Sequence, residues 1–248
     1  MLKRERQELI IHEVNLHNKV LVTDLSAKIS VSEDTVRRDL IELSDAGRLV
    51  KVHGGAISNS FRNSYKHTDV YSLDQKKVVA QKAVSIIQDG MLVFTTGGTT
   101  LLEMLRILPQ SLRATFVTVS VQGAFELMQH PHIEVILVGG KLSHNAQIAV
   151  GGEAIHRIRK FNADLAFLGV NAIDTERGIT DNDYEVTLIK QAIIESSAHV
   201  AALSIAEKLN TVQKIQVCAP EGYHTLVTEL TPDDPLLVPY KHKNKTIL

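Results

Sequence analysis

A helix whose two ends can be placed from the sequence, followed at once by a hairpin, constrains the first quarter of the chain more than any other feature. Ser32 is a good N-cap, because its hydroxyl accepts from the free N–H groups of a first turn, so a helix should begin at Glu33. Val36, Leu40 and Leu43 recur at i, i+4 and i+7, a buried stripe that leaves Thr35, Arg37 and Arg38 facing outward. Gly47 stands where a C′ glycine closes a helix. Val50 and Val52 then alternate with Leu49, Lys51 and His53, the period of a short strand, and Gly54-Gly55 permits a tight turn. Upstream, Ile10 and Val14 begin a similar stripe, Thr23 can cap a further helix carrying Leu25 and Ile29, and Ser30-Val31-Ser32 joins that helix to the next. This is the spacing of a helix-turn-helix with a wing, in which the second helix of the motif enters the major groove of DNA and the other braces it.

The expected DNA-contacting set is therefore Ser32, Thr35, Arg37 and Arg38 on the reading helix, with Arg48, Lys51 and His53 on the wing. A plainer alternative pairs Arg37 and Arg38 with Glu33 and Asp34 across one helical turn, but such pairs contribute only about 0.2–0.5 kcal/mol each. They also leave the cap, the wing and the basic start Lys3-Arg4-Arg6 unexplained. Residues 1 to 57 hold nine Lys/Arg against nine Asp/Glu, so affinity for DNA must come from clustering and from a dimer presenting two such heads. The first aromatic is Phe61, which argues against a head that stacks single-stranded bases. The run Val31-Ser32, Thr35-Val36-Arg37-Arg38-Asp39-Leu40, Gly47-Arg48-Leu49 and His53-Gly54-Gly55-Ala56 resembles the helix-turn-helix of the deoxyribose-operon repressor (DeoR-like) family of bacterial transcription regulators.

At 248 residues the chain has room for a small domain and a larger one with its own core. A single cysteine, Cys218, excludes an internal disulfide and a cysteine-rich zinc site, and fits a reducing compartment. The start Met1-Leu2-Lys3-Arg4-Glu5 lacks a signal-peptide core, and no apolar run approaches the roughly 18 residues of a membrane span. The expectation is a soluble cytoplasmic protein with no membrane partner. A net charge of −1 fits a small DNA head on an ordinary globular body.

Four segments are expected: a winged helix-turn-helix over 1–57, a polar linker over 58–74, a sensor body over 75–235 and a basic tail over 236–248. The tail Lys241-His242-Lys243-Asn244-Lys245 reads as a disordered, solvated end. Within the body a helix near Lys76 to Gln88 precedes a strand Met91 to Phe94, and a helix Leu101 to Leu108 stops at Pro109. Thr115 to Ser120, Ile133 to Val138, Leu165 to Gly169 and His199 to Leu203 are apolar at nearly every position, as strands buried on both faces are. The fold class is thus α/β, with a mainly parallel sheet covered by helices.

The loop Thr95-Thr96-Gly97-Gly98-Thr99-Thr100 follows a strand and opens a helix. Glycines let backbone approach a ligand, helix-start N–H groups point at it and threonine hydroxyls add donors, a combination that suits phosphate. It lacks the lysine of a Walker A loop and the G-x-G-x-x-G of a dinucleotide fold, so no nucleotide cofactor is expected. Gly139-Gly140-Lys141 repeats the pattern at the end of another strand, on the sheet edge where ligands gather. Lys190 and Lys208 are further candidate cations, although each taken singly reads as a solvated surface lysine.

The body resembles the sugar-phosphate sensor domain of the same family, similar in fold to ribose-5-phosphate isomerase. That resemblance places the effector at Thr96, Gly97, Gly98, Thr99 and Thr100, at Gly139, Gly140 and Lys141, and at Lys190 and Lys208. It also matches Ala166-Phe167-Leu168-Gly169 and Gly178-Ile179-Thr180 to pocket elements. Three positions depart from the family pattern: Thr96 for an acidic residue, Val119 for an asparagine and Ile205 for an aspartate. These changes remove polar groups suited to reading sugar hydroxyls.

His12-Glu13 with His17 is spaced i, i+5, wrong for a pair of zinc ligands on one helix face, and His130-Pro131-His132 reads as a polar turn, so no metal is expected. The resemblance implies a repressor that binds a double-stranded operator as a homo-oligomer, dimer or tetramer, and is released by a phosphorylated sugar. Two alternatives stand beside it. One is a sugar-phosphate isomerase with an appended DNA-binding head, for which Gly169-Val170-Asn171-Ala172-Ile173-Asp174 supplies one carboxylate where several are expected. The other is an activator built from the same parts. No catalytic residue is expected.

Overall fold

The structure, a computed structural model, describes residues 1–59, 70–243 and 245–248. They form two compact units, Met1–Tyr71 and Ser72–Leu248. The first contains α1 (Lys3–His17), β1 (Lys19–Leu21), α2 (Val22–Ile29), α3 (Glu33–Asp45) and the hairpin β2 (Val50–Val52) and β3 (Gly55–Ile57). The expected stripes meet in one core, with Ile10 and Val14 packed among Leu25, Ile29, Val36, Leu40 and Leu43. Both ends of α3 lie where the cap residues put them. The Thr35 N–H donates to Ser32 Oγ at 3.3 Å. At the other end Gly47 adopts φ 68°, and the N–H groups of Gly47 and Arg48 return to the carbonyls of Ser44 (2.9 Å) and Leu43 (2.8 Å).

Thr23 does not cap α2. The N-cap is Leu21, two residues earlier, so the helix starts at Val22 and the Thr23 hydroxyl turns to the Asp24 carboxylate. The reason is β1, a strand too short to read from the sequence, which pairs with β3 and delivers the Val22 N–H to the Gly54 carbonyl at 2.9 Å. A backbone acceptor thus does what a side chain was expected to do. The close packing of β1 on β3 also explains Gly55, where a Cβ would lie 1.9 Å from the Val20 carbonyl oxygen. Gly54 provides the turn, and Gly55 the clearance.

Ser58, placed in the expected linker, is buried in the first unit, its N–H donating to the Asn18 carbonyl and its hydroxyl to Asn15. Leu73 and Asp74 already belong to α4 (Leu73–Val84). The expected linker therefore shortens at both ends, and residues 60–69 of it, Phe61 included, lie outside the described residues.

The second unit is built on seven parallel strands in the order β15-β14-β12-β9-β4-β5-β6. These are β4 (Leu92–Thr95), β5 (Ala114–Thr118), β6 (Ile133–Leu137), β9 (Ala163–Gly169), β12 (Ser197–Leu203), β14 (Thr225–Val227) and β15 (Thr246–Ile247). Phe94, Val117, Ala166, Leu168, Val200 and Ala202 join one core with residues of α7 (Gly152–Ile158) and α8 (Tyr184–Glu195). The alternate positions Val93, Phe116, Leu165 and Phe167 are just as buried and point the other way. That side of the unit carries α4, α5 (Thr99–Arg106) and α6 (Val121–Leu127), which pack side by side. Burial on both faces is what makes the central strands β4, β5 and β9 apolar, whereas Ile133–Leu137, expected to be buried likewise, forms the sheet edge and has no fully buried residue. A short antiparallel sheet of β10 (Ala172–Asp174), β11 (Gly178–Asp181) and β13 (Ile215–Cys218), and a hairpin of β7 (Lys141–Leu142) and β8 (Ala149–Val150), complete the unit.

The C-terminal segment corrects the expectation of a solvated tail. It forms α9 (Val238–Lys241) and β15, which adds to the sheet edge beside β14. Leu237 and Tyr240 are fully buried, and the Tyr240 hydroxyl donates to the Ile173 carbonyl at 3.1 Å. Lys245 donates to the Tyr223 carbonyl and lies 4.4 Å over that ring. Apolar residues on either side of the lysines, Leu237 and Tyr240 before them and Ile247 after, anchor a segment whose charge suggested otherwise.

Candidate functional site

The first candidate surface is the outer face of α3 with the wing. Ser32, Arg37, Arg38, Arg48, Lys51 and His53 are exposed and Thr35 is half-buried, its hydroxyl 2.9 Å from that of Ser32. The plainer reading of the arginines holds for one of them. Arg37 bonds both Glu33 (2.5 Å) and Asp34 (2.9 Å), whereas Arg38 makes no ion pair among the described residues. Arg48 approaches Glu8 at 3.9 Å. The Lys51 N–H reaches Ser44 Oγ at 3.4 Å, a bond that ties the wing to α3.

The basic N-terminus serves a different end from the one expected. Lys3 pairs with Glu42 at 2.7 Å and Arg6 with Asp39 at 2.5 Å, and Gln7 donates to both carboxylates. Asp39 is buried, so α1 grips the back of α3 through a charged anchor. Sequence reasoning missed Asp39. Its signal is position, since a carboxylate beside Leu40 and three residues after Val36 borders the apolar stripe.

The second candidate site lies at the carboxyl ends of the parallel strands, where β4 runs through Thr96-Gly97-Gly98 into α5. The Thr96 hydroxyl accepts from the Gly169 N–H at 3.1 Å, which fastens the loop to the end of β9. At Gly97 a Cβ would lie 2.5 Å from the Ile148 side chain, so only glycine fits beneath that segment. Gly98, at φ 124°, begins α5 with no side-chain cap, leaving first-turn N–H groups for another acceptor. Thr99 is buried and Thr100 half-buried in that turn. Just before the loop, the Thr95 hydroxyl is buried with no hydrogen-bond partner among the described residues.

Lys190 and Lys208 are not the solvated lysines that each one suggests singly. Both are buried, because Lys190 lies on the inner face of α8 and Lys208 in a tight turn after β12. Lys190 bonds Asp181 at 2.7 Å, and the Asn171 amide donates to the same carboxylate at 3.2 Å. Burial pushes the Asp181 carboxyl up, but the Lys190 charge and the hydrogen bonds outweigh it and hold it below the usual carboxylate range. Lys208 donates to the Val170 carbonyl at 2.9 Å, immediately past the end of β9. Burial, with Lys76 and Lys190 nearby, lowers its amine to about 7.

Lys76, near the start of α4, is the third buried lysine and was missed. Burial lowers it to about 8 against the fields of Glu103 and Glu207. A signal was present: Lys76, Val79, Ala80 and Ala83 form the buried face of α4 at helical spacing, and a lysine on an apolar stripe is unusual. Lys141 stands apart from this cluster. It is exposed, and its amine reaches Glu185 at 3.1 Å, while Gly139 and Gly140 turn the chain from β6 into β7. Val119 and Ile205, two of the departures from the family pattern, are fully buried.

The other constellations have structural partners. Glu13 is bonded to Lys28 at 2.7 Å, and His130 holds the Leu105 carbonyl at 2.9 Å. Among the described residues no group of three or more His, Cys, Asp or Glu could hold a metal, and no helix is long and apolar enough to cross a membrane. Asp174, the carboxylate an isomerase would need, accepts the N–H groups of Glu176 and Arg177 at 2.9 Å each and so closes the turn between β10 and β11.

Residues 6–62 match the DeoR-like helix-turn-helix domain, and residues 72–230 match the DeoR C terminal sensor domain. Among similar proteins, HTH-type transcriptional regulator GlpR of Haloferax volcanii is 33% identical over 94% of this chain and 92% of its own length. A Bacillus subtilis protein named as an uncharacterized HTH-type transcriptional regulator FruR is 31% identical, over 94% and 95%. The glycerol-3-phosphate regulon repressor of Haemophilus influenzae is 29% identical, over 98% and 95%. Among solved structures, ribose 5-phosphate isomerase A of Methanocaldococcus jannaschii aligns with a TM-score of 0.43 and 17% identity, over 56% of this chain and 55% of that one. These three relatives, each covering more than nine-tenths of the chain, are named as transcription regulators or repressors, and the chain belongs to the DeoR family of transcription regulators, with a DeoR-like helix-turn-helix domain followed by a DeoR sensor domain.

Proposed function

We propose that this regulator represses genes of sugar or sugar-alcohol metabolism by binding their operator through α3 and the wing, and that a phosphorylated effector in the second unit releases it. The observation that carries the effector half is the pairing, on one sheet edge, of an uncapped glycine-threonine helix start with buried lysines. Desolvated ammonium groups and free N–H donors favour a multiply charged oxyanion over a neutral sugar. The relative named as a glycerol-3-phosphate regulon repressor supports both the sign of regulation and the class of effector, and a second, named as the transcriptional repressor GlcR, supports the sign.

Two heads are needed, because a head with equal numbers of acidic and basic side chains gains little from long-range attraction. A dimer reading two half-sites in the cytoplasm supplies them, and an effector that favours a dimer arrangement with mismatched heads lowers operator affinity by population shift. The deciding experiment is a thermal-shift screen with phosphorylated sugars and their free forms, followed by operator binding with each hit. A ligand at 100 times its Kd contributes about 2.7 kcal/mol to the folded state. A shift with one phosphorylated sugar, none with its free form and loss of operator binding in its presence is the expected pattern. Operator binding that ignores every ligand that shifts the melting curve would refute release by effector.

A further inference from the structure

Lys208 differs from the other buried cations of the sensor unit. Lys190 has Asp181 at 2.7 Å. Lys76 lies in the fields of Glu103 and Glu207. The Lys208 amine is bonded to one carbonyl, that of Val170, and makes no ion pair among the described residues. The charged groups that bear on it are Lys76 from α4, Lys190 from α8, Asp181 from the end of β11 and its neighbour Glu207. Of these, Asp181 is already engaged by Lys190. An ammonium group here sits out of water beside two other cations, an arrangement that favours the neutral amine until a negative charge arrives.

We propose that Lys208 takes up one proton as a doubly charged phosphoryl group enters the site, so that ligand binding and protonation of this amine are a single event. One N–H bond forms, from the neutral amine and a proton drawn from solvent, and no bond in the ligand breaks. The coupling makes Lys208 a specificity-determining residue. A phosphate ester dianion brings enough charge to hold the proton, whereas the free sugar brings none and meets a neutral amine. Affinity for the effector then rises as the medium becomes more acidic across neutrality, where burial has placed this amine. The inference rests on reading this edge of the sheet as a phosphate receptor.

Sulfate tests it cleanly, because it is tetrahedral and stays a dianion across the working range, so any proton taken up belongs to the protein. Sulfate affinity of the full chain is measured by thermal shift at several pH values, with sodium chloride at matched ionic strength as the control. Wild type should lose affinity by up to about tenfold per pH unit above neutrality. Lys208→Arg, which stays charged throughout, should lose most of this slope just above neutrality, leaving only what Lys76, lowered to about 8, supplies at higher pH. Sulfate binding that is equally strong on both sides of neutrality in wild type overturns the coupling and leaves the anion site standing. Failure of sulfate and of every phosphorylated sugar to bind at any pH overturns the receptor reading itself, and the coupling with it.

If Lys208→Arg does not fold, NMR of lysine ε-carbons in the wild-type protein decides the matter. A Lys208 signal that titrates near neutrality and moves upward on adding sulfate supports the coupling. A signal titrating in the ordinary lysine range, about 10.4, refutes it.

Discussion

Arg37 and Arg38 in the head stand in water, whereas Lys190 and Lys208 in the sensor unit are shut away from it, and the same charge therefore has different consequences in the two places. An exposed arginine held by Glu33 and Asp34 can leave them at small cost, since surface pairs are worth about 0–1 kcal/mol. The proposed exchange of those carboxylates for DNA phosphates is then an easy replacement, suited to a surface that must bind and release. A buried lysine has no such freedom. Removing its partner leaves a charge without solvent, at a cost of about 3–5 kcal/mol. The head is built for exchangeable contacts and the Lys190–Asp181 pair of the sensor for a fixed one, and substitutions should separate the two designs.

The largest effect is expected at Lys190. Lys190→Met leaves Asp181 buried without its counter-ion, which should remove about 3–5 kcal/mol from the second unit. Replacing both, Lys190→Met with Asp181→Leu, should recover most of that loss while abolishing effector binding. Chemical denaturation of the single and double variants measures this, and additive losses would mean that the two groups do not form a pair. The pH dependence has a definite sign. Because the folded state holds the Asp181 carboxyl below its unfolded value, the stabilisation is complete above about pH 4 and is lost as pH falls through the folded value.

Next comes Gly55→Ala, which tests the head alone. The added Cβ would sit 1.9 Å from the Val20 carbonyl oxygen, so β1 and β3 must part, at a cost of about 3 kcal/mol or more. Operator binding should vanish while a phosphorylated ligand still shifts the melting of the second unit. Normal operator affinity in this variant would show that the wing does not depend on β1.

The two regions also differ in how much of them could be read in advance. In the head, Ser32 and Gly47 locate α3 because capping is local chemistry, decided by a few adjacent residues. What escaped was non-local: β1 is three residues long and exists through its pairing with β3, and Asp39 has meaning only opposite Arg6. In the sensor the central strands β4, β5 and β9 were legible because burial on both faces leaves a nearly continuous apolar run. The loop at Gly97-Gly98 was legible because few sequences other than glycine-rich ones turn so tightly from strand to helix. The burial of Lys190 and Lys208 was not, since each looks singly like a surface lysine until separate segments bring their amines and acids together, whereas Lys76 carried a sign in the apolar stripe of α4.

A smaller effect, on binding rather than folding, separates the two arginines. Arg38→Ala should reduce operator affinity by about 1–3 kcal/mol if its guanidinium reads a base, and it should leave stability within about 0.5 kcal/mol, since no ion pair is lost among the described residues. Arg37→Ala should cost less affinity, because wild-type Arg37 must first give up Glu33 and Asp34. Fluorescence anisotropy over a salt series distinguishes base from backbone contact. A phosphate-contacting arginine lowers the salt slope by about one when removed and weakens all sequences alike.

The smallest effect tests the local cap. Ser32→Ala removes the acceptor for the Thr35 N–H and the hydrogen bond to the Thr35 hydroxyl, and should cost about 1 kcal/mol of head stability. Ser32→Asp restores the cap and adds a negative charge at the helix start, which favours the helix dipole but opposes DNA phosphates. If the start of α3 faces the DNA backbone, stability and operator affinity should move in opposite directions in Ser32→Asp. Thermal unfolding and anisotropy on the same preparations decide this. Parallel recovery of both would place the first turn of α3 away from the phosphates and confine reading to Arg38 and the wing.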